Sequence, residues 1–211
     1  MSQDDFAVEP IEGLPANLPD GEVILWQGRP HYWFLCVNSL NLYWIFGYFV
    51  ILAAWRYIHV LSDSSSGIAF ANSLPFVISG VLSCLILLII SYVQARTTLY
   101  TITNRRIVMR IGAALTINLN IPFKEIKNAS IAVQRNGTGT IALEVLGTTK
   151  LSYYILWPHA RPWKFKDTQP ALRCVPNPKA VSEILSKAAR KQIAPTEDDI
   201  HDSFKNTLPA E

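Results

Sequence analysis

Two long stretches of this chain carry no charged residue. One lies between Arg29 and Arg56, the other between Asp63 and Arg96. Inside them run Leu40–Trp55 and Leu74–Val93, which are almost wholly apolar. A helix that crosses a bilayer needs about 20 such residues. The second stretch meets that length directly, and the first does so once Phe34–Ser39 and Arg56–Ile58 are included. The pattern therefore predicts transmembrane helices over 34–58 and 74–94, joined by a short connection over 59–73. Trp44, Trp55, Tyr57 and Tyr92 supply amphipathic rings at the expected interfaces. Core helices of soluble proteins rarely run this far without a charge. A cleaved signal is not expected, because residues 1–28 hold six acids and neither Lys nor Arg.

After Arg96 the period changes from helical to alternating. Leu99–Thr103 and Ile107–Ile111 flank Asn104-Arg105-Arg106, a strand–turn–strand pattern. Leu115, Ile117, Leu119 and Ile121 alternate with polar residues up to Pro122, which predicts a half-buried strand. Ser130–Gln134 and Thr140–Leu146 flank Asn136-Gly137-Thr138-Gly139, a hairpin turn. Gly147–Thr149 reads as a turn and Leu151–Leu156 as a further strand. Val23–Gln27, ahead of the first apolar stretch, is an edge-strand candidate. The last element is an amphipathic helix. Asn177 caps it, Pro178 starts it, and Val181, Ile184, Leu185 and Ala188 form its apolar face.

The expected organisation is an acidic segment over 1–17 and an N-terminal segment with the edge strand over 18–33. The helical hairpin follows, then a polar domain over 95–192 and an acidic tail over 193–211. The fold class is an α+β membrane protein: a two-helix transmembrane hairpin followed by a cytoplasmic antiparallel β-barrel or sandwich with one C-terminal helix. That order of sheet and helix is the pleckstrin-homology (PH-like) one, although pattern alone also allows other small barrels.

Composition sharpens this. Charged residues make up 17% of the 211-residue chain and hydrophobic residues 50%, against roughly 25% charged in a soluble domain. Charge is segregated as well. Residues 1–28 carry a net −6, residues 94–191 a net +12 from 16 basic and 4 acidic side chains, and residues 192–211 a net −4. Arg29, Arg96, Arg105, Arg106 and Arg110 lie on one side of the hairpin, so the positive-inside rule puts both termini in the cytoplasm. Arg56 falls on the other side and can snorkel to that interface. A basic surface next to a membrane attracts anionic lipid headgroups. Nucleic acid is not an expected partner of a tethered domain.

Chemical motifs are scarce. No Gly-rich phosphate loop and no HExxH occurs, and His31, His59, His159 and His201 are widely separated. Cys36, Cys84 and Cys174 have neither disulfide-framework nor metal-site spacing. We expect a non-enzymatic chain with no cofactor, no metal and no catalytic residue. Neither apolar stretch has a histidine in its core, so pigment ligation through imidazole is not expected. Leu156–Trp163 (LWPHARPW) is the least ordinary segment, with two Pro, two Trp, His and Arg in eight residues. Trp and Arg are enriched at interface hot spots. Trp157, His159, Arg161, Trp163 and Lys164 are the candidate contact residues there, with Arg105, Arg106 and Arg110 on the basic turn. Gly47 and Gly80 allow close helix packing, within the hairpin or in a homodimer.

Leu18-Pro19-Asp20-Gly21-Glu22 and Leu25–Pro30 before a membrane hairpin, with Tyr100–Val108 after it, resemble the bacterial PH-like (bPH2) membrane proteins. Arg110–Leu115, Leu156–Trp163 and the following Pro170–Pro176 resemble the PuhB family more specifically, over about residues 15–190. That resemblance implies an assembly protein for the photosynthetic reaction centre and its light-harvesting 1 complex. It implies residence in the bacterial inner (intracytoplasmic) membrane and partners among the subunits of that complex. It supplies no catalytic residues. A generic membrane-anchored PH-like module that binds anionic lipid or another envelope protein is the alternative.

Overall fold

The computed structural model describes residues 13–14, 17–112, 116–146 and 152–193. The acidic segments at 1–12 and 194–211 and the turn expected at Gly147–Thr149 lie outside the described residues. The chain divides into two compact units. One comprises residues 31–96, the other residues 1–30 together with 97–211.

The first unit is helical. Helix α1 (Tyr32–Ser39) and helix α2 (Leu42–Leu61) are separated at Leu40 and Asn41. Asn41 has φ 55°, in the left-handed region that Asn tolerates better than most residues. Its carbonyl accepts the N–H groups of Trp44 at 3.0 Å and Ile45 at 3.2 Å. The approach expected to extend the first long helix is therefore a separate short helix. The long helix instead continues past Arg56 to Leu61.

Helix α3 (Ser66–Thr97) is 32 residues long and contains Pro75. It begins earlier than the sequence pattern implied, which leaves only Ser62–Ser65 as a connection. Gly80 lies against Phe49, where an added Cβ would come within 2.8 Å of the Phe49 Cβ; at Gly47 it would meet nothing within 4 Å. Close packing inside the hairpin thus accounts for Gly80 but not for Gly47. Both long helices are apolar enough to cross a membrane, and their most apolar windows are 0% and 11% buried. A core helix of a soluble protein would be mostly covered. These helices therefore support membrane association.

The second unit contains two antiparallel sheets. The first has the order β1 (Ile24–Gly28), β2 (Leu99–Thr103), β3 (Arg106–Ile111), β4 (Ile117–Pro122). The edge strand before the hairpin thus pairs with the strand after it, 72 or more residues on, as Gln27 opposite Thr101 and Gly28 opposite Tyr100. A single helical turn over Phe123–Glu125 leads to the second sheet. Its order is β5 (Ile126–Val133), β6 (Thr138–Val145), β7 (Ala171–Pro176). Helix α5 (Pro178–Ile193) closes the core.

That core gathers Tyr100, Ile102 and Met109 from one sheet, and Ile141, Leu143 and Leu172 from the other. Val181, Leu185 and Ala188 of α5 complete it, in agreement with the helical spacing. Burial of Val181 and Leu185 contributes roughly 3–6 kcal/mol. The α+β architecture, with sheets ahead of a C-terminal helix, is the PH-like one.

Two local expectations need correction. Residues 153–156 form a short helix, α4 (Tyr153–Leu156), rather than a strand. The Leu156 and Trp157 N–H groups donate to the Ser152 and Tyr153 carbonyls at 3.2 and 2.9 Å, so this segment satisfies its backbone within its own turn. Strand β7 itself was not anticipated. It is buried from Ala171 to Val175, so it lacks the alternation that marks a half-exposed strand.

Candidate functional site

The residues singled out by sequence separate into a structural set and an exposed set. The turn between β2 and β3 belongs mainly to the first. Thr103 Oγ1 accepts the N–H groups of Arg105 (3.1 Å) and Arg106 (3.0 Å). Asn104 Nδ2 donates to the Gly21 carbonyl at 2.9 Å, and Asn104 Oδ1 accepts the Val23 N–H at 3.0 Å. Gly21 sits at φ +75°, where a side chain would be strained. Arg106 Nε and Nη2 make a two-pronged ion pair with Glu22 at 2.9 and 3.0 Å, and the Glu22 side chain is only 2% exposed. Arg106 therefore ties the N-terminal segment to the sheet, with its side chain 30% exposed. Arg105 is exposed, with Nη2 donating to the Asp20 carbonyl at 3.2 Å. Arg110 is half-buried on β3.

The exposed set lies between β6 and β7. Leu156, Pro158, His159 and Ala160 are buried, and the Trp157–Pro158 peptide is cis. The chain then turns outward. The base of the resulting loop is pinned by Ala160 opposite Pro170 and by the Arg161 N–H donating to the Gln169 carbonyl at 2.9 Å. Arg161 Nη1 also donates to Gln169 Oε1 at 3.0 Å. Beyond that base every residue from Arg161 to Asp167 is exposed. Trp163 is 86% exposed and Phe165 57%.

These rings form a surface array with α4. Trp163 and Phe165 centroids are 6.4 Å apart, Phe165 and Tyr153 4.6 Å, and Tyr153 and Tyr154 6.3 Å. Arg161, Lys164 and Lys166 place positive charge among them. Sequence reasoning identified Trp157, Arg161, Trp163 and Lys164 here but missed Tyr153, Tyr154 and Phe165. The available signal was their aromatic density over 153–165. It was passed over because 151–156 reads as a strand.

His159 is not a contact residue, since it is fully buried. Its Nδ1 lies 2.6 Å from the Tyr100 hydroxyl and its Nε2 3.1 Å from Thr98 Oγ1. The Tyr100 oxygen accepts the Arg173 N–H at 3.2 Å. Both ring nitrogens therefore have a hydroxyl partner, which satisfies a buried neutral imidazole. Burial and the positive charge of Arg173 push its pKa down to about 3. Burial likewise pushes the Tyr100 hydroxyl well above its ordinary value. Arg173 Nη1 donates to the Ala160 carbonyl at 3.1 Å. His159 and Arg173 together anchor the root of the exposed loop to the core.

Among the described residues no group of three or more His, Cys, Asp and Glu could hold a metal. Aromatic area, positive charge and a rigid root suit this loop to binding.

A membrane-associated chain with a PH-like unit is the class that the fold defines. The bacterial PH domain family matches residues 35–189, and the chain belongs to that family. It is also similar to a protein of Rhodobacter capsulatus, named as an uncharacterized 23.7 kDa protein in the puhA 5' region. The two are 41% identical over 195 residues, 92% of this chain and 91% of that protein. No solved structure matches the chain.

Proposed function

We propose that this chain is a non-enzymatic membrane assembly factor for the bacterial photosynthetic reaction-centre–light-harvesting 1 complex. It resides in the inner (intracytoplasmic) membrane as a helical hairpin with both termini in the cytoplasm. It binds a subunit of the complex at the cytoplasmic surface, and the Tyr153–Lys166 surface makes that contact. The observation that carries the contact surface is the exposed ring array interleaved with Arg161, Lys164 and Lys166. Such a combination is poorly used in isolation and well suited to an interface anchor. The tie to photosynthesis is supported by the near-full-length relative whose name places it beside puhA, together with the sequence resemblance.

The test has two arms. A deletion strain should lose the near-infrared reaction-centre and core-antenna bands, and the wild-type gene should restore them. The double charge reversal Arg161→Glu with Lys164→Glu should leave the protein in the membrane yet reduce co-purification of reaction-centre subunits several-fold. An unchanged spectrum in the deletion strain would sink the assembly role.

The same ring array also favours a second reading, a lipid-binding PH-like module. Tyr and Trp with Lys and Arg are the residues of membrane interfaces. That reading predicts binding to anionic vesicles that falls steeply with salt, and no phototrophic defect on deletion.

A further inference from the structure

Strand β5 is an edge strand with an unusual surface. Its eight residues, Ile126–Val133, pair on one side with β6, and among the described residues nothing pairs on the other. Residues 127–133 are all exposed, and Lys127 is the only charged one. Proteins normally protect such an edge with charges, proline, bulges or a cover. Here the charge and a register shift both fall at the start of the strand, at Lys127, and from Asn128 to Val133 the run is of small polar and aliphatic residues.

The register shows which backbone groups are free. The Gln134 N–H donates to the Thr138 carbonyl at 2.8 Å, which makes that couple a hydrogen-bonded pair. Antiparallel ladders alternate. Ala132 opposite Thr140, Ser130 opposite Ala142 and Asn128 opposite Glu144 therefore share that class. Ala129, Ile131 and Val133 fall between them, and their N–H and C=O groups point away from β6.

Beside this edge runs a groove of ≈ 430 Å³, between β5 and α5. Phe123, Ile126, Ile141, Leu185 and Ala189 give it an apolar floor, with Lys127 and Asn128 on its β5 side and Ser182, Glu183 and Ser186 on its α5 side. Ile131 is directly opposite Ile141 and so shares its face of the sheet. Ile141 is 1% exposed, whereas Ile131 is 43% exposed. The difference marks the place where the core face runs out into the groove.

We propose that this groove is a docking site for an extended segment of a partner protein, which adds to β5 as a further strand. Only another backbone can match the outward row of N–H and C=O groups at strand spacing. Those of its alternate side chains that enter over Phe123, Ile141 and Leu185 would be apolar. Its flanks would be acidic. Residues 94–191 carry a net +12, and α5 presents Lys179, Lys187, Arg190 and Lys191 against one acid, Glu183. This site is separate from the Trp163 loop, and the proposal does not depend on the photosynthetic role.

The test uses the full chain in lipid nanodiscs and a phage-displayed library of random dodecapeptides. Selection should enrich peptides with alternating apolar residues and acidic ends. A synthetic copy of an enriched peptide should bind at least tenfold more weakly to Ala129→Pro, which removes an outward N–H without breaking the β6 ladder. It should lose similar affinity for Ser186→Trp, an exposed position whose new ring fills the groove. Bound peptide should slow hydrogen exchange at Ala129, Ile131 and Val133. Enriched peptides that bind both variants like the wild type would overturn the assignment, as would no enrichment over empty nanodiscs. Protection of those three amides before any peptide is added would also overturn it. That result would put a second copy, or this chain's own acidic segment, on the edge.

Discussion

Acidification should destabilise the PH-like unit through one residue, His159. Its imidazole is fully buried, held neutral between Tyr100 and Thr98, with a pKa pushed down to about 3 from the ordinary 6.5. The folded value lies below the unfolded one. Between those limits the unfolded chain binds a proton that the folded chain refuses. The stabilisation is therefore complete above pH 6.5 and declines as pH falls through this window. Each pH unit below the ordinary value costs up to about 1.4 kcal/mol. Moving from pH 7 to pH 5 should remove about 2 kcal/mol from the stability of this unit. Urea titration of the full chain in detergent micelles, followed by tryptophan fluorescence at pH 7, 6 and 5, measures this. His159→Gln is the matched variant, because an amide offers a donor and an acceptor to the two hydroxyls without titrating. It should lower stability at pH 7 and lack most of the pH slope. Parallel slopes in wild type and variant would refute the reasoning. So would a His159 ring resonance that titrates near pH 6.5.

Two further outcomes follow from packing. Glu22→Ala strands Arg106, whose side chain is 30% exposed and can partly reach water. The loss should be about 2 kcal/mol, below the full cost of breaking a buried pair, and the melting temperature should fall by roughly 10 °C. Gly80→Leu should force α2 and α3 apart at Phe49 and cost about 1–3 kcal/mol, seen as a lower SDS midpoint for unfolding in mixed micelles. Gly47→Leu should be near neutral in the same assay, since a Cβ there meets nothing within 4 Å. Equal effects at the two glycines would contradict this packing.

The candidate contact surface was only half legible in the sequence. Trp157, Arg161, Trp163 and Lys164 stood out by residue type. Yet His159, within the same eight residues, is a core residue, because Tyr100 and Thr98 are brought to it by a strand about 60 positions earlier. The ion pair of Arg106 was hidden for the same kind of reason. Its partner Glu22 is 84 positions away, beyond the hairpin. Charge on a turn says nothing about which acid will fold over it. Tyr153, Tyr154 and Phe165 escaped notice because an apolar run of six residues reads equally well as a strand or as a helical turn.

Local pattern was enough wherever one period dominates. The absence of charge over two long stretches determined the apolar helices. Alternation determined β4, the turn at Asn104-Arg105-Arg106 between two apolar runs determined β2 and β3, and the spacing of Val181, Leu185 and Ala188 determined the buried face of α5. Tertiary structure decided what depends on contacts beyond a local run. Residues 153–156 satisfy their backbone within one helical turn, and Phe165 comes to lie against Tyr153. Strand β5 keeps one edge that, among the described residues, no strand pairs. Neither outcome is written in any local period, because each depends on which segments of the chain meet.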